Sequence, residues 1–490
     1  MAERRRVLIV AFDSLRPDMV TPDLMPNLCA FTEAGFRFPR SRATFPTETR
    51  VNQTAVITGC YPQRHGIVGN KFLEPAASPG KLFNTGDETQ LAAGDKRLDG
   101  KLVDVPVMGE LLAEAGKTLA VLSTGTPGGC RMLHHKAESI GVFRFSPIRP
   151  DATVPQSSLD EMIDRLGPIP KHEIPSIDGL TYATDAYLRY IEPAFEPDVM
   201  ILWYCEPDNS YHHRGIGTDA NLRAIRHADA QFGRILEWRQ SEGPGDALQV
   251  ITLSDHGQLT VAAESIDLAA QLREAGFSVG ETVTDGSDVA IALSSGGGLY
   301  VRDSDPDLIR RVVGWLQTQF WCGPVSTRDG LGALHHEHLM IDHRRAPDIG
   351  LVLASDDRVN EHGHVGHTLQ NAGYPVGGGL HGGLHAIELS NWLAMAGDAF
   401  TSGGESPLPA GLVDVLPTLL TVLGLEVPDH MDGRVLNEAL AGAAETDLPP
   451  AITETVSAEG AGGYRAHLTF SRVGTTPYLD RAWVERDGAD

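Results

Sequence analysis

Three short apolar segments of this 490-residue chain each run into residues of the types that bind metal ions. VLIVAF leads into Asp13, VMILWYCEP leads into Asp208 with His212 four residues later, and QVITLS leads into Asp255 and His256. Short Val/Ile/Leu-rich segments bounded by polar residues are typical of strands buried on both faces in a parallel sheet covered by helices. The pattern therefore predicts an α/β fold.

The candidate ligands outnumber those that one metal ion requires. In parallel α/β sheets, ligands bind in the crevice beyond the carboxyl ends of the strands. Three aspartates and two histidines delivered to that edge would supply more than the usual three or four ligands of one ion. The sequence therefore predicts a site for two metal ions, as in two-metal hydrolases.

The amino-acid composition limits the classes of partner that we expect for this chain. Asp plus Glu total 65 against 40 Lys plus Arg, which gives a net charge of −25. Nucleic-acid polymers and anionic membranes favour the opposite sign, so we expect neither as a partner. No apolar segment approaches the roughly 20 residues that span a bilayer, and the apolar segment after MAERRR is too short for a signal-peptide core. Five scattered cysteines without a CxxC motif predict a reduced, cytoplasmic protein; the sequence leaves its oligomeric state unknown.

The pattern of strand-like and helix-like segments changes twice along the chain. Strand-like and helix-like segments alternate over residues 1–257 and resume over 377–440, which we assign to one catalytic core. Residues 258–376 interrupt the series of candidate ligands and are predicted to form an inserted cap, with a Gly/Ser-rich bend at 294–300 (SSGGGLY). Residues 441–490 are predicted to be a linker and a C-terminal β-hairpin, built from YRAHLTFSRV and YLDRAWVE around a Gly-Thr-Thr-Pro turn.

A candidate nucleophile lies in FPTETRVNQTAVITG (45–59). The loop through Pro46 runs into VNQTAVITG, which is typical of the first turns of a helix. Thr49 would then lie near the helix start, where free backbone N–H groups and the positive end of the dipole favour an anionic oxygen. Alternatively, Thr47 or Thr49 is simply a helix cap, since threonine is common there. The nearby strand-end ligands favour the nucleophile.

Taken in order, these motifs resemble those of the type I phosphodiesterase/nucleotide pyrophosphatase family of the alkaline phosphatase superfamily. The resemblance implies an alkaline-phosphatase-like three-layer α/β/α sandwich around a mostly parallel sheet, with an inserted cap. The motifs that carry it are FD (12–13), TET (47–49), TGCYPQRHGI (58–67) with Asn70, EPDNSYH (206–212), SDHG (254–257), HGGLHAIELSNWLAMAG (381–397) and LVDVLPTLLTVLGLEVPDHMDGR (412–434).

The resemblance also implies roles for individual residues. Thr49 would be the nucleophile that becomes transiently phosphorylated, and Asn70 would donate a hydrogen bond to a phosphoryl oxygen. Two cations about 4 Å apart would hold the attacking and leaving oxygens. Mixed Asp/His ligands favour zinc, with manganese or iron as alternatives. One ion would bind Asp13, Thr49, Asp255 and His256, and the other Asp208, His212 and His381.

Other histidines compete for the last ligand position. His381 is preferred because its distance to WLAMAG matches the family, and His213 is expected to point away from the site. The alternatives to His381 are His362, His364, His367 and His385. A separate cluster in the cap lacks regular ligand spacing and is predicted to be a solvated surface; it comprises His335, His336, His338 and His343.

Substrate choice is where the sequence departs from the nucleotide pyrophosphatases. Those enzymes follow the nucleophile with Phe-Pro-Asn-His, whereas this chain has an arginine, Arg50, at the first of these positions. Losing the aromatic ring weakens the case for a nucleotide base. Arg50 would instead bind a carboxylate or second phosphate of the substrate, joined by Arg131 and Arg214. Alternatively, Arg50 faces solvent or pairs with Glu48.

The expected activity is hydrolysis of a small phosphoric ester of the phosphodiester or pyrophosphate type. HGIVGNKF (65–72) also resembles the phosphonoacetate hydrolases, so a phosphonate C–P hydrolase is an alternative, although Arg131 is the only permanently charged residue where those relatives place lysines. A phosphomonoesterase is a further alternative. A relative that has lost catalysis and only binds a ligand or partner is the hypothesis from a different class.

Overall fold

The structure, a computed structural model, describes residues 4–442 and 449–487. Before residue 258 its strands are β1 (Arg6–Phe12), β2 (Phe36–Arg37), β3 (Ser41–Arg42), β4 (Lys71–Phe72), β5 (Phe83–Asn84), β6 (Leu119–Ser123), β7 (Phe143–Phe145), β8 (Val199–Tyr204) and β9 (Leu248–Leu253). The next strands are β10 (Leu259–Val261), β11 (Val279–Gly280), β12 (Val289–Leu293), β13 (Gly296–Val301), β14 (Cys322–Thr327), β15 (Leu334–His335), β16 (Ile349–Leu353), β17 (Ser355–Val359), β18 (Val365–Thr368) and β19 (Gly379–Leu380). The last are β20 (Leu393–Ala396), β21 (Ala410–Gly411), β22 (Ala451–Glu459), β23 (Tyr464–Val473) and β24 (Thr476–Arg486).

Helices flank these strands. In the first half they are α1 (Pro26–Ala34), α2 (Thr49–Thr58), α3 (Pro62–His65), α4 (Glu88–Arg97), α5 (Met108–Glu114), α6 (Pro127–Leu133), α7 (Ala137–Ile140), α8 (Ser157–Leu166), α9 (Ile177–Ala186), α10 (Glu192–Phe195), α11 (Asp208–Arg214) and α12 (Asp219–Ser241). The remainder are α13 (Leu268–Glu274), α14 (Pro306–Gln317), α15 (Ala386–Leu389) and α16 (Val415–Val422). None of the helices in the described ranges has the length and apolarity needed to cross a lipid bilayer.

A seven-stranded sheet in the order β2-β20-β9-β1-β8-β6-β7 forms the centre of the molecule. The strands from β9 to β7 run parallel, while at one edge β20 pairs antiparallel with β9 and β2 pairs antiparallel with β20. Alternate residues of β1 enter two different apolar clusters, Ile9 on one face and Val10 on the other. Both faces are therefore covered, and the predicted three-layer arrangement around a mostly parallel sheet is confirmed.

The register of the sheet aligns the ends of its three central strands. Phe12 at the end of β1 lies opposite Tyr204 at the end of β8, and Ala11 lies opposite Leu253 at the end of β9. The chain therefore enters its next loops side by side after β1, β8 and β9. This alignment brings the residues that follow the three strands to one edge.

Residues 258–376 build two further sheets, in the orders β11-β12-β13-β16-β14-β15 and β17-β18-β10-β19, the last strand of which follows directly at 379. The bend predicted for SSGGGLY is confined to Ser294 and Ser295, because Gly296–Val301 is a strand paired with β12 and β16. Glycine serves packing here, since a Cβ on Gly296 would lie 1.9 Å from the Gly382 carbonyl oxygen. The strand thus approaches the loop that carries His381 backbone to backbone.

The C-terminal segment forms a three-stranded antiparallel sheet. The hairpin of β23 and β24 is present as the sequence predicts, and β22 adds a third strand that the sequence reading missed. Apolar residues of the hairpin, such as Leu468, belong to the same cluster as residues of the insertion. The N–H of Ala482 donates to the Leu384 carbonyl at 2.9 Å, so the sheet also contacts the loop after His381.

Candidate active site

Asp13, Asp255 and His256 form a buried cluster at the ends of β1 and β9, called here the deep group. Their ligand atoms all lie within 4.8 Å of one another. The indole Nε1 of Trp203 donates to Asp13 Oδ2 at 2.8 Å. The other oxygen, Asp13 Oδ1, and Asp255 Oδ2 are buried without a hydrogen-bond partner. Unpartnered buried carboxylate oxygens are what a bound cation would satisfy.

Asp208, His212 and His381 form a second cluster, called here the outer group, whose ligand atoms also lie within 4.8 Å of one another. Asp208 and His212 face the same way because they are four residues apart on α11. Asp208 Oδ1 lies 3.3 Å from His212 Nε2 and 3.6 Å from His381 Nε2. His381 arrives on the loop after β19, beyond the insertion.

Backbone carbonyls orient the two imidazoles of the outer group. His212 Nδ1 lies 2.7 Å from the Gly379 oxygen, and His381 Nδ1 lies 2.7 Å from the Thr47 oxygen. A nitrogen that faces a carbonyl oxygen must carry the proton, so each Nε2 keeps its lone pair for the cluster. Such outer contacts are typical of metal-binding histidines.

His256 joins the deep group to the outer group. Its ring stacks on that of His381 with centroids 3.9 Å apart and an interplanar angle of 21°. Its Nδ1 lies 3.0 Å from Ser14 Oγ, and the same hydroxyl donates to Asp208 Oδ1 at 2.9 Å. The two groups therefore share a wall and one bridging hydroxyl.

Burial sets the protonation of the metal-free cluster. It raises the pKa of Asp13, which the charges of Asp255 and Asp208 raise further, and it raises the pKa of Asp255 to about 7. It also lowers the pKa of His256 to about 4 and, with His256 beside it, the pKa of His381. The imidazoles of His256 and His381 are thus neutral at pH 7, and a bound cation would offset the crowding of the carboxyl groups. This donor set fits divalent metal ions.

Thr49 is the first residue of α2, and its hydroxyl faces the deep group. Thr49 Oγ1 lies 3.4 Å from His256 Nε2. The residue before the helix is Glu48, whose side chain does not cap it. Thr47 has a different task, because its hydroxyl donates to the Gly383 carbonyl at 2.9 Å and accepts from the Gly382 N–H at 3.0 Å. Neither threonine caps the helix, and Thr49 lies where the sequence predicts a nucleophile.

A cavity of about 450 Å³ opens beside the outer group. Asn70 lines it, with its Oδ1 3.3 Å from the Arg50 backbone N–H, which leaves the Asn70 NH₂ group as a donor. The cavity lies between the core and the insertion, and both contribute to it. Its polar lining residues are Glu48, Arg50, Asn70, Lys71, Asn84, His212, Ser294, Tyr300, Asn371, Tyr374 and His381.

Two of the three predicted substrate-binding arginines do not line this cavity. The Arg131 guanidinium pairs with Glu88 at 2.7 Å and with Glu138 at 2.6 Å. Arg214 donates to the Ile174 carbonyl at 2.8 Å on the exposed side of α11. Both side chains are thus committed elsewhere, and Arg50 alone of the three lines the cavity.

The remaining histidines lie apart from both groups. His385 pairs with Asp357 at 3.1 Å, and His367 Nδ1 lies 3.0 Å from the Arg358 carbonyl oxygen. The solvated surface predicted for the cap cluster is wrong at His336, which is fully buried and whose pKa burial lowers to about 3. No metal-type cluster containing these histidines occurs within the ranges the structure describes.

Some residues of the site were not predicted from the sequence. Ser14 bridges the two groups, and Gln258 Nε2 donates to Ser14 Oγ at 3.0 Å and to Asp208 Oδ1. Tyr374 stacks on the His212 ring with centroids 4.2 Å apart and an interplanar angle of 13°. Their signals are weak in sequence, but Ser14 and Gln258 follow ligand residues by one and two positions.

The family model described as type I phosphodiesterase/nucleotide pyrophosphatase matches residues 7–355, well over half of the chain. The chain belongs to this family. The prediction of the family is confirmed.

Relatives in this family differ in length from the chain. Ectonucleotide pyrophosphatase/phosphodiesterase family member 3 of Rattus norvegicus is 22% identical over 263 residues, which cover 53% of this chain and 26% of the relative. A bis(5'-adenosyl)-triphosphatase of Bos taurus is 24% identical over 262 residues, which cover 53% of this chain and 49% of the relative. The chain thus spans about half or less of the length of these curated relatives.

One solved structure shares the fold of this chain. The inactive murine ectonucleotide pyrophosphatase/phosphodiesterase 5, in complex with AMP, superposes with a TM-score of 0.60 and 18% identity, over 86% of this chain and 96% of that one. At this identity the similarity concerns the fold, and it confirms the predicted fold class.

Proposed function

We propose that this protein hydrolyses small phosphoric esters of the phosphodiester or pyrophosphate type through a phosphorylated Thr49. The observation that carries the proposal is the Thr49 hydroxyl, 3.4 Å from His256 Nε2 at the start of α2. This hydroxyl lies beside two clusters of metal-type ligands, one of which lines the cavity. Family membership supports the same reaction class.

The deep group and the outer group would each hold one divalent ion. Their mixed carboxylate and imidazole donors favour zinc, with manganese or iron as alternatives. Such ions supply Lewis-acid polarisation of the phosphoryl oxygen and lower the pKa of a hydroxyl that they contact. The unpartnered oxygens of Asp13 and Asp255 support this assignment.

The residues of the chain divide the remaining work. Thr49 Oγ1 would attack phosphorus while the bond to the leaving group breaks, and water would then release the remaining arm of the substrate from Thr49 as a phosphomonoester. The positive end of the α2 dipole and the Asn70 NH₂ group would stabilise charge on the non-bridging oxygens. Each displacement inverts phosphorus, so the two together would retain configuration.

Replacing the nucleophile tests this mechanism. Thr49→Ala should lower turnover of bis-p-nitrophenyl phosphate by more than ~10³-fold, because the attacking oxygen is removed. A small residual rate would remain from the other groups of the site. Thr49→Ser should retain part of the activity, and Thr58→Ala, at the far end of α2, is the matched control. Full turnover by Thr49→Ala of bis-p-nitrophenyl phosphate, p-nitrophenyl phosphate and phosphonoacetate would exclude the proposed nucleophile.

The same three substrates rank the alternatives. A phosphonate hydrolase is favoured by one observation, the cationic side chains of Arg50 and Lys71 that line the cavity and would hold a carboxylate. It would turn over phosphonoacetate fastest, and a phosphomonoesterase would prefer p-nitrophenyl phosphate. A non-catalytic relative would turn over none of them and, if the ligand clusters have decayed, would contain no metal when purified without chelator.

A cytoplasmic location is part of the proposal. It rests on the five cysteines, all of which are free thiols and four of which are buried. Free thiols persist in reducing compartments. Recovery of the native protein from the cytoplasmic fraction of its source cells would support this location, and recovery from the medium would contradict it.

A further inference from the structure

The cavity beside the outer group contains two cationic side chains, Arg50 and Lys71. Neither forms an ion pair with any residue in the ranges 4–442 and 449–487, and the Nε of Arg50 is enclosed without a hydrogen-bond partner. Two unpaired cations in one cavity stand out because acidic residues outnumber basic ones in the chain, which has a net charge of −25. Arg50 is partly buried, and Lys71 is exposed at the edge of the cavity. A partly desolvated guanidinium without a counter-charge favours a bound anion.

Arg50 lies close to the proposed reaction centre. It follows Thr49 directly on α2, and its backbone N–H contacts Asn70. Burial raises the pKa of Asp13 and of Glu48, and the positive charge of Arg50 acts on both in the opposite direction. The guanidinium is therefore within electrostatic reach of the deep group and of the cavity wall.

The acid of the cavity lining is already occupied. Glu48 is buried, and its Oε2 accepts the backbone N–H of Asn70. The insertion and a neighbouring loop add uncharged polar groups to the cavity lining, namely Ser294, Asn371 and Asn84. The lining therefore offers two cations, one engaged carboxylate and several hydroxyl and amide donors. This inventory suits an anion more than a neutral or cationic group.

The cavity also has room for more than the reacting phosphoryl group. It continues into an open groove of about 780 Å³, with which it shares Lys71, Leu82, Asn84, Ile291 and Asn371. Lys81 and Arg273 lie further along the groove, together with Asp267 and Glu281. Lys71 stands at the junction, so an anionic group attached to the substrate would meet Arg50 first and Lys71 next.

We propose that the substrate carries a second anionic group, a carboxylate or a further phosphate, which Arg50 and Lys71 bind beside the reacting phosphorus. The inference rests on the proposed function and narrows its substrate class. A guanidinium binds carboxylate and phosphate oxygens through bidentate hydrogen bonds, whereas the ammonium group of lysine acts as a point charge. Diesters with two uncharged arms would leave both cations unpaired and would be the poorer substrates.

Specificity constants with three probes test this inference. The probes are bis-p-nitrophenyl phosphate, which has one negative charge, adenosine 5′-triphosphate, which adds phosphates, and a p-nitrophenyl phosphodiester whose second arm ends in a carboxylate. Arg50→Met should lower the ratio of kcat/KM for a doubly anionic probe over bis-p-nitrophenyl phosphate by about 10- to 150-fold, the range for one charged hydrogen-bonded contact. The probe with the larger ratio identifies the natural anion as phosphate or carboxylate.

Three further variants define the contact. Arg50→Lys should restore part of the ratio, Lys71→Met should lower it less than Arg50→Met, and Arg214→Met, an arginine outside the cavity, should leave it unchanged. Binding is measured in parallel as the thermal shift caused by inorganic pyrophosphate and by inorganic phosphate. Pyrophosphate should stabilise the wild-type protein more than phosphate does, and Arg50→Met should remove that difference.

The outcomes separate this inference from the proposed function. A ratio unchanged in Arg50→Met, or a pyrophosphate shift that persists in it, overturns the second-anion site while Thr49-dependent turnover stands. Loss of Thr49 dependence overturns the proposed mechanism, and the pyrophosphate shift still decides whether Arg50 binds an anion.

Discussion

The deep group and the outer group differ in origin and in electrostatics. The deep group has two carboxylates and one imidazole, all fully buried at the ends of core strands. The outer group has one carboxylate and two imidazoles, drawn from α11 and from the loop after β19, and two of its members line the cavity. One group is a product of the sheet, and the other needs the insertion folded against it.

The carboxyl groups respond oppositely to these surroundings. Burial and neighbouring carboxylates raise the pKa of Asp13, whereas at Asp208 the effect of burial is outweighed by His212 and His381, which lower the pKa. The deep group thus places two carboxyl groups side by side, whose ionised forms a bound cation would stabilise, whereas the outer group has only one. We therefore expect the deep group to bind a divalent ion more tightly.

The largest expected effect is that of Asp13→Asn. It should abolish metal binding at the deep group and lower activity by more than ~100-fold, beyond the loss typical of an outer-shell contact. Because a buried carboxylate with a raised pKa destabilises the metal-free fold at pH 7, the same change should raise the melting temperature of the metal-free protein. Metal content and calorimetry check both effects, with exposed Asp23→Asn as control. A lower metal-free melting temperature would contradict the electrostatic argument.

His381→Ala should have a smaller effect because it removes one outer ligand and leaves the deep group complete. We expect one of two metal equivalents to be lost and the other to be retained, as measured by elemental analysis after dialysis. His385→Ala, on the same loop but paired with Asp357, is the matched control. Loss of both equivalents would show that the two groups do not bind independently.

Ser14→Gly tests the bridge between the two groups. Ser14 has a φ of 62°, a conformation that favours glycine, yet its hydroxyl contacts both Asp208 and His256. The variant should weaken metal affinity by about 10- to 100-fold, the usual cost of losing an outer-shell contact. Its metal-free melting temperature should stay the same or rise, because the backbone strain disappears.

Ser14→Ala is the companion variant, since it loses the hydroxyl and keeps the strained backbone. Its metal affinity should fall as in Ser14→Gly, with a lower melting temperature than the glycine variant. Chelator competition and calorimetry give the two quantities. Unchanged metal affinity in both variants would show that the hydroxyl only fills space.

The smallest expected effect concerns the loop that presents His381. Glu388 accepts the N–H groups of Gly383 at 2.8 Å and His385 at 3.2 Å, and burial raises its pKa to about 7. The folded state therefore holds this proton more tightly than the unfolded state, where the pKa is about 4.3. Stability should fall by at most about 3 kcal/mol as pH rises from about 4.5 to 7.

Glu388→Gln should reduce the slope of this pH dependence, because glutamine does not titrate. Asp255, whose pKa burial also raises to about 7, would keep part of the slope. The free energy of unfolding in urea at pH 5 and pH 7.5 measures the difference between the two proteins. An equal pH slope in wild type and variant would place the titration on other groups.

Sequence patterns predicted much of the site because strand ends and helix starts have local signals. The apolar segments before Asp13 and Asp255 showed where two strands stop, and the register of β1 and β9 brings these residues together. Patterns failed where glycine or histidine served packing. Position 296 needs glycine because the Gly382 backbone passes close to this strand residue. His336 is buried inside the fold. Hydrophobic periodicity indicates neither fact.

The order of motifs along the chain, read with the apolar segments, was enough to define the α/β core, the family and the residues of the deep group. The register of β1 and β9 in the folded sheet then brings the residues of that group together. Tertiary structure alone decided that Arg50 faces the cavity while Arg131 and Arg214 do not, and that Ser14 bridges both groups. The direction of a long or strained side chain depends on neighbours that are distant in sequence, and no local pattern encodes them.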